Sequence, residues 1–291
     1  PYQIVLTALQ VSEEFLREQG IPCQGYYSVT IQSELDDQDS GTKYGLGSSG
    51  AVTVATVEAI LLYYGYELDP LLVFKLSVLT QARLNMTGSH GDLAASSFRG
   101  LVAYYSLDKS WLSEQMSVQG LSNLLASDWK DLQIKQIGLP APLELLVGWT
   151  GSAASTTHLV SHMESKKTQQ SKEEIYSQFL NDSKVCVEQL IWACQNRDIP
   201  CIKQAVTRNR YLLRKFSEDM SLTIETPLLT ELCDSAEANG AVAKSSGAGG
   251  GDCGICLVDS QEQKENIQII WEQAGIFPLP LTIAERNKER I

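Results

Sequence analysis

No stretch of the 291-residue chain reaches the about eighteen uninterrupted apolar residues that a membrane-spanning helix needs, the longest candidates being broken by Glu58 or by Tyr63 and Tyr64. A membrane span is therefore not expected. Positive charge is scarce as well, with a formal net charge of −12. Nucleic acids and anionic lipids attract proteins through clustered Lys and Arg, so neither is expected as a partner, and an anionic small molecule would have to meet a local positive site. The chain runs from Pro1 straight into an apolar periodic segment, so a signal peptide is not expected, and something upstream is expected to be missing. The seven cysteines are odd in number and lie mostly in segments that read as helix or strand, which points to reduced thiols in a cytoplasmic protein. Only Cys253 and Cys256 have Cys-x-x-Cys spacing. Their run reads as a strand, where residues three apart point to opposite faces, and this argues against a redox or metal pair.

What is present is ordinary globular material. Hydrophobic residues make up 43% and charged residues 20%, and the length suits two domains, each with its own core. Apolar residues from Ile4 to Leu16 recur at helical spacing and stop before Gly20 and Pro22. Tyr26 to Leu35 alternates as a strand does, with Tyr27, Val29 and Ile31 on one face. Ala51 to Tyr64 is apolar nearly all round, as a buried central helix would be, with Gly65 at its end and Asp69-Pro70 capping the next helix. A short helix follows Gly91-Asp92, and Leu101 to Ser106 reads as a strand. Near Pro140 and Pro142 the character changes, which puts a domain boundary at about residue 140. Beyond it come a strand from Leu143 to Trp149, long helical segments from about Leu159 to Phe216 and a helix starting at Thr226-Pro227. A strand from Ile255 to Val258, a helix from Gln261 to Ala274 and a strand from Ile276 to Ile283 complete a mixed α/β second domain.

Four segments carry chemistry. Lys43-Tyr44-Gly45-Leu46-Gly47-Ser48-Ser49-Gly50 sets glycines and hydroxyls immediately before a long helix, the layout of a phosphate cradle. Glycines let successive N–H groups converge, the helix N-terminus adds partial positive charge, and a Ser hydroxyl can ligate Mg²⁺. The competing reading is a helix entry loop that Ser48 or Ser49 merely caps. Gly45, Gly47 and Gly50 also satisfy Gly-x-Gly-x-x-Gly, but the polar approach from Asp39 to Tyr44 does not suit a Rossmann strand. His-Arg-Asp and Asp-Phe-Gly, which a protein kinase would need, do not occur, and Gly50 is followed by Ala51 where a Walker loop has Lys.

The second segment, Lys244-Ser245-Ser246-Gly247-Ala248-Gly249-Gly250-Gly251-Asp252-Cys253-Gly254, reads as an ordered anion-contacting loop or as a surface linker of the same composition. Two glycine loops in two domains suggest a ligand site at the interface. The third, Thr87-Gly88-Ser89-His90-Gly91-Asp92, has a carboxylate at a helix start, which by itself is most simply an N-cap. The fourth, Gly148 to His158, clusters hydroxyls at a strand-to-helix turn that could bind an anion or cap the helix. His158 and His162 are four apart, but the Glu of a His-Glu-x-x-His zinc site is missing.

Taken in this order, the four segments resemble the GHMP kinases, the superfamily of galactokinase and of homoserine, mevalonate and phosphomevalonate kinases. The loop at 45–50 matches its signature, and 244–254 looks specifically like the phosphomevalonate kinase branch; Gly88 to Asp92 and Val147 to Gly151 extend the likeness over nearly the whole chain. The resemblance implies an α+β, two-domain fold, a ribosomal-S5-domain-2-like first domain (1–140) and a ferredoxin-like second (141–291). It implies ATP and Mg²⁺, with transfer of the γ-phosphoryl to 5-phosphomevalonate; the alternatives are another acceptor such as mevalonate, or a silent nucleotide-binding relative. A nicotinamide oxidoreductase is the third reading. On the resemblance, Gly45, Leu46, Gly47, Ser48, Ser49 and Gly50 hold the nucleotide, with Ser48 and Ser49 near the metal. Asp92 then faces the transferring phosphoryl and Lys43 lies on the acceptor side. Ser89, Ser155, Thr156, Thr157, Lys244, Ser245, Ser246, Gly247, Ala248 and Gly249 bind the acceptor. Two departures stand out. Thr87 occupies a position where relatives often carry Asn, and the family's leading strands and Lys-containing motif have no counterpart before Pro1, so part of the site is expected to be absent.

Overall fold

The structure, a computed structural model, describes residues 2–37, 40–151, 169–247 and 249–284. They fall into two compact units: the first takes its residues from 2–32, 47–137 and 284, the second from 33–46 and 138–283. Residues 33–46 thus belong to the second unit although they precede most of the first in sequence.

The first unit is built on α1 (Tyr2–Glu18), α2 (Ser48–Tyr63), α3 (Pro70–Arg83) and α4 (Gly91–Phe98), followed by β1 (Leu101–Tyr105), α5 (Lys109–Val118), α6 (Leu121–Ala126) and β2 (Gln133–Ile137). β1 and β2 pair antiparallel, with Ala103 opposite Lys135. Val11, Phe15, Val57, Leu61, Phe74, Leu76 and Leu93 meet in one core. Local chemistry sets the helix ends: Gly65 takes φ +72° after α2, and the Asp69 carboxylate accepts the Leu72 N–H at 2.8 Å to start α3. α3 is buried from Val73 through Gln81, Lys75 included. The Lys75 ammonium is tolerated there because it donates to the carbonyls of Leu125 (2.8 Å) and Ser127 (2.7 Å), which α6 leaves open at its end.

The strand expected over Tyr26 to Leu35 does not form. The segment carries no regular structure, no described strand lies alongside it to complete a ladder, and Tyr26, Val29 and Ile31 are exposed. Alternation specifies a strand only when a neighbour takes up its backbone groups. Nearby, a single antiparallel bridge joins Asp36 to Lys43.

The second unit contains β3 (Glu144–Trp149), α7 (Gln169–Asn196), α8 (Ile199–Met220), α9 (Pro227–Ala238), β4 (Val242–Ser245), β5 (Cys253–Val258), α10 (Gln261–Gln273) and β6 (Phe277–Leu279). The final strand is shorter than the sequence suggested, and β5 begins at Cys253, in keeping with the strand reading of the Cys-x-x-Cys run. The sheet order is β4-β5-β3-β6, antiparallel throughout, with helices between its first and second and its third and fourth strands in chain order. That is the ferredoxin-like β-α-β-β-α-β arrangement. Leu229, Leu232, Ile267 and Trp271 from α9 and α10 cover one face of the sheet, against Leu146, Ala243 and Cys256. Paired Gly148 and Gly254 make room for them: a Cβ on Gly148 would come within 2.8 Å of Leu232 and 2.9 Å of Trp271. Cys253 lies instead with Val147 and Trp149, so the two thiols of the Cys-x-x-Cys occupy different clusters. All seven cysteines are free. Among the described residues no helix is long and apolar enough to cross a membrane.

Candidate active site

Gly47 is the N-cap of α2, held at φ +75° with no side-chain cap, so Ser48 and Ser49 are the first two residues of the helix and cap nothing. The Ser49 hydroxyl is buried with no hydrogen-bond partner. An orphaned buried hydroxyl costs about 1–3 kcal/mol, which a ligand oxygen or metal would offset. Against the loop stands Asp92. A Cβ on Gly47 would lie 3.1 Å from the Asp92 Cβ, and one on Gly50 only 2.3 Å from Oδ2. A methyl at 47 would press on the Asp92 Cβ, and one at 50 would displace its carboxylate.

Asp92 is not an N-cap either. The cap of α4 is His90 at φ +62°, without a side-chain bond, and Asp92 is the second helical residue. Its loop is tied down by Tyr104, whose hydroxyl donates to the Ser89 carbonyl at 2.7 Å, by Lys109, which donates to the Gly88 carbonyl, and by Gly91 N–H to Ser89 Oγ at 3.3 Å. His90 is buried with neither ring nitrogen hydrogen-bonded. Burial first, and the Lys109 charge second, push its pKa below the ordinary value, with Asp92 opposing.

In the second unit, Gly45 (φ +73°) lies against Asp252: a Cβ there would fall 2.3 Å from the Asp252 Cγ. Thr150 N–H and Oγ–H both donate to the Asp252 carbonyl at 2.9 Å, the Cys253 thiol donates to the Tyr44 carbonyl at 3.1 Å, and the Tyr44 ring meets Trp149 edge-on at 5.0 Å. Burial, and the Asp252 charge behind it, raise the Cys253 thiol to about 12, so it stays a protonated donor. Lys43 is exposed. Lys244, on β4, donates to the Ser245 carbonyl at 2.5 Å and is pushed down by burial. Ser245 is buried, and Ser246 N–H donates to the Cys253 carbonyl at 2.9 Å. The glycine turn is pinned at Ile224, whose carbonyl accepts the Gly250 N–H at 2.7 Å and would lie 2.4 Å from a Cβ on Gly249. Ser155, Thr156, Thr157, His158, His162 and Ala248 lie outside the described residues.

The structure therefore brings Asp92 to Gly47 and Gly50 within the first unit, and Gly45, Tyr44, Thr150 and Asp252 together within the second. Thr150, Asp252 and His90 had no assigned role in the sequence reading. For Asp252 the available signal was a single carboxylate closing a glycine run. Among the described residues no group of three or more His, Cys, Asp or Glu could cage a metal. One carboxylate beside serine hydroxyls does fit Mg²⁺, which takes few protein ligands and completes its shell with water and phosphate oxygens.

Family models for both halves match: the GHMP kinases N terminal domain over residues 4–100 and the GHMP kinases C terminal model over 190–276. The chain belongs to the GHMP kinase family. Within it, the chain is 38% identical over 282 residues to a phosphomevalonate kinase of Streptomyces sp. (strain CL190), covering 96% of this chain and 74% of that protein. Among solved structures it is similar to a Lin0012 protein from Listeria innocua, with TM-score 0.87 and 35% identity over 98% of this chain and 79% of that one. It is also similar to the Streptococcus pneumoniae phosphomevalonate kinase in complex with phosphomevalonate and AMPPNP, with TM-score 0.80 and 32% identity over 96% and 80% of the two chains.

Proposed function

We propose that the protein transfers the γ-phosphoryl group of ATP to 5-phosphomevalonate, giving 5-diphosphomevalonate and ADP, in the cytoplasm. The observation that carries this reading is the Asp92 carboxylate pressed onto Gly47 and Gly50 of a loop whose Ser49 hydroxyl is left without a partner. The 38% identity to a phosphomevalonate kinase supports the choice of acceptor, and seven free cysteines support the location. An oxygen of the acceptor phosphate forms the new bond to the γ-phosphorus while the bond to the β-bridging oxygen breaks.

The residues divide the work. Amides of 45–50 and the N-terminus of α2 bind the nucleotide phosphates, and Ser48 and Ser49 would hold Mg²⁺, which would neutralise charge on the transferring group. Lys43, Ser89, Lys244, Ser245, Ser246, Gly247 and Gly249 act on the acceptor, with Ser155 to Thr157 and Ala248 assigned to the same task by resemblance. Ordinary alkyl phosphates have a second pKa of about 6, so the attacking oxygen is already largely ionised at neutral pH. Asp92 consequently orients the groups around the transferring phosphoryl more than it removes a proton.

The test is ADP release from ATP with 5-phosphomevalonate, mevalonate and homoserine offered separately. Turnover with the phosphorylated acceptor alone is expected; turnover with mevalonate instead, or nucleotide binding with no ADP release, would overturn the reading. Asp92→Asn should slow the reaction severely, and near-full turnover would remove Asp92 from the chemistry.

A further inference from the structure

Gly249 to Asp252 are four consecutive residues at positive φ, +74°, +82°, +146° and +52°, and only the last is not glycine. An L side chain in the left-handed region is strained, and such strain persists where the surroundings hold it. Glycine at 252 would adopt this backbone freely. It would also keep both Thr150 hydrogen bonds, because these end on the backbone carbonyl of residue 252. What only aspartate adds is the carboxylate, and the carboxylate lies over Gly45, with Cγ and Oδ2 at 2.3 Å and 2.5 Å from the point a Cβ would occupy. Directly alongside, Cys253 holds the Tyr44 carbonyl and Trp149 braces the Tyr44 ring.

We propose that Asp252 is a positioning residue: its carboxylate fixes Tyr44 to Leu46 in the turn from which the glycine loop presents its amides and Ser48 and Ser49. The inference rests on the phosphoryl-transfer function proposed above. The carboxylate lies against Gly45, so its contribution runs through the loop it holds. The strained backbone at 252 and the contact with Gly45 occur at the same residue.

Two variants test this. Asp252→Asn keeps the size and tolerates the left-handed backbone but removes the charge; Asp252→Gly removes the side chain and relieves the strain. For both, kcat with ATP and 5-phosphomevalonate should fall by about tenfold or more while KM for the acceptor stays within about twofold. Thermal stability of Asp252→Gly should equal or exceed that of the parent. Amide hydrogen exchange across residues 44–48 of the substrate-free protein should accelerate in both variants, with α9 unchanged. Turnover of Asp252→Gly within twofold of the parent, or unaltered exchange at 44–48, would overturn the proposal. If the parent protein shows no activity on this acceptor, the functional reading fails separately, and the exchange measurement still decides whether Asp252 holds the loop.

Discussion

Replacing Gly50 by alanine should separate the stability of the loop from its function. Gly50 is the third residue of α2 and its φ is not positive, so alanine fits the backbone and gains about 1 kcal/mol of helix propensity. The new Cβ, however, would lie 2.3 Å from the Asp92 Oδ2 and 2.7 Å from Cγ. An ordinary contact is about 3.5 Å, so the carboxylate oxygen must retreat by about 1.2 Å. The clash is with the tip of a side chain and not with backbone, so Asp92 yields before the helix does, at an off-rotamer cost of about 0.5–1.5 kcal/mol. The two terms nearly cancel, and the melting temperature should stay within about 4 °C of the parent. Turnover should not. A reacting constellation displaced by about 1 Å loses up to about a hundredfold in rate, and kcat measured by ADP release at saturating substrates should fall accordingly. A variant within threefold of the parent would refute the argument that Asp92 must sit where the alanine methyl would be.

Gly148→Ala pushes a methyl into Leu232 and Trp271 in the core of the second unit and should cost about 1–3 kcal/mol, read as an earlier unfolding midpoint in urea. Arg210, buried on α8, bonds Glu225, Asp234 and Glu237 together; Arg210→Met leaves Glu225 buried without its cation and should destabilise the protein by about 3–5 kcal/mol, whereas a loss below 1 kcal/mol would mean that the carboxylates relax into solvent. His90 has its pKa lowered in the folded state, so between that value and the ordinary one, about 6.5, the unfolded chain binds more protons than the folded one. Stability therefore falls as pH drops below about 6.5, and His90→Asn, which tolerates the left-handed backbone, should show a shallower loss in melts from pH 7 to pH 5.

Much of the helical framework was legible before any coordinates. α1, α2, α3, α9 and α10 follow from apolar periodicity and from stop and start residues such as Gly65, Asp69 and Thr226-Pro227, whose physics is local. The Tyr26 to Leu35 segment was misread because strand pairing is non-local: its alternation is genuine, but the partner that would satisfy its backbone is not encoded in the segment. At the site, glycine spacing indicated the loop and its helix. It could not show whether Ser48, Ser49 and Asp92 were caps, since that depended on Gly47 and His90 adopting left-handed backbones and taking over the cap positions. Asp252 escaped notice for a related reason. Its role depends on Gly45, more than two hundred residues away in sequence, and spacing within a motif carries no trace of such a pairing.

The return of residues 33–46 to the second unit means that the chain cannot be divided by one cut near residue 138. A fragment beginning at Gly138 would lose Tyr44 and bare the flank of Trp149 and Cys253, so the C-terminal half should be sticky when produced alone. On the ribosome, too, the Tyr44 contacts with its sheet join a segment that emerged long before, Tyr44 and Cys253 being 209 positions apart. Its last assembly step is accordingly set by a tether synthesised near the beginning.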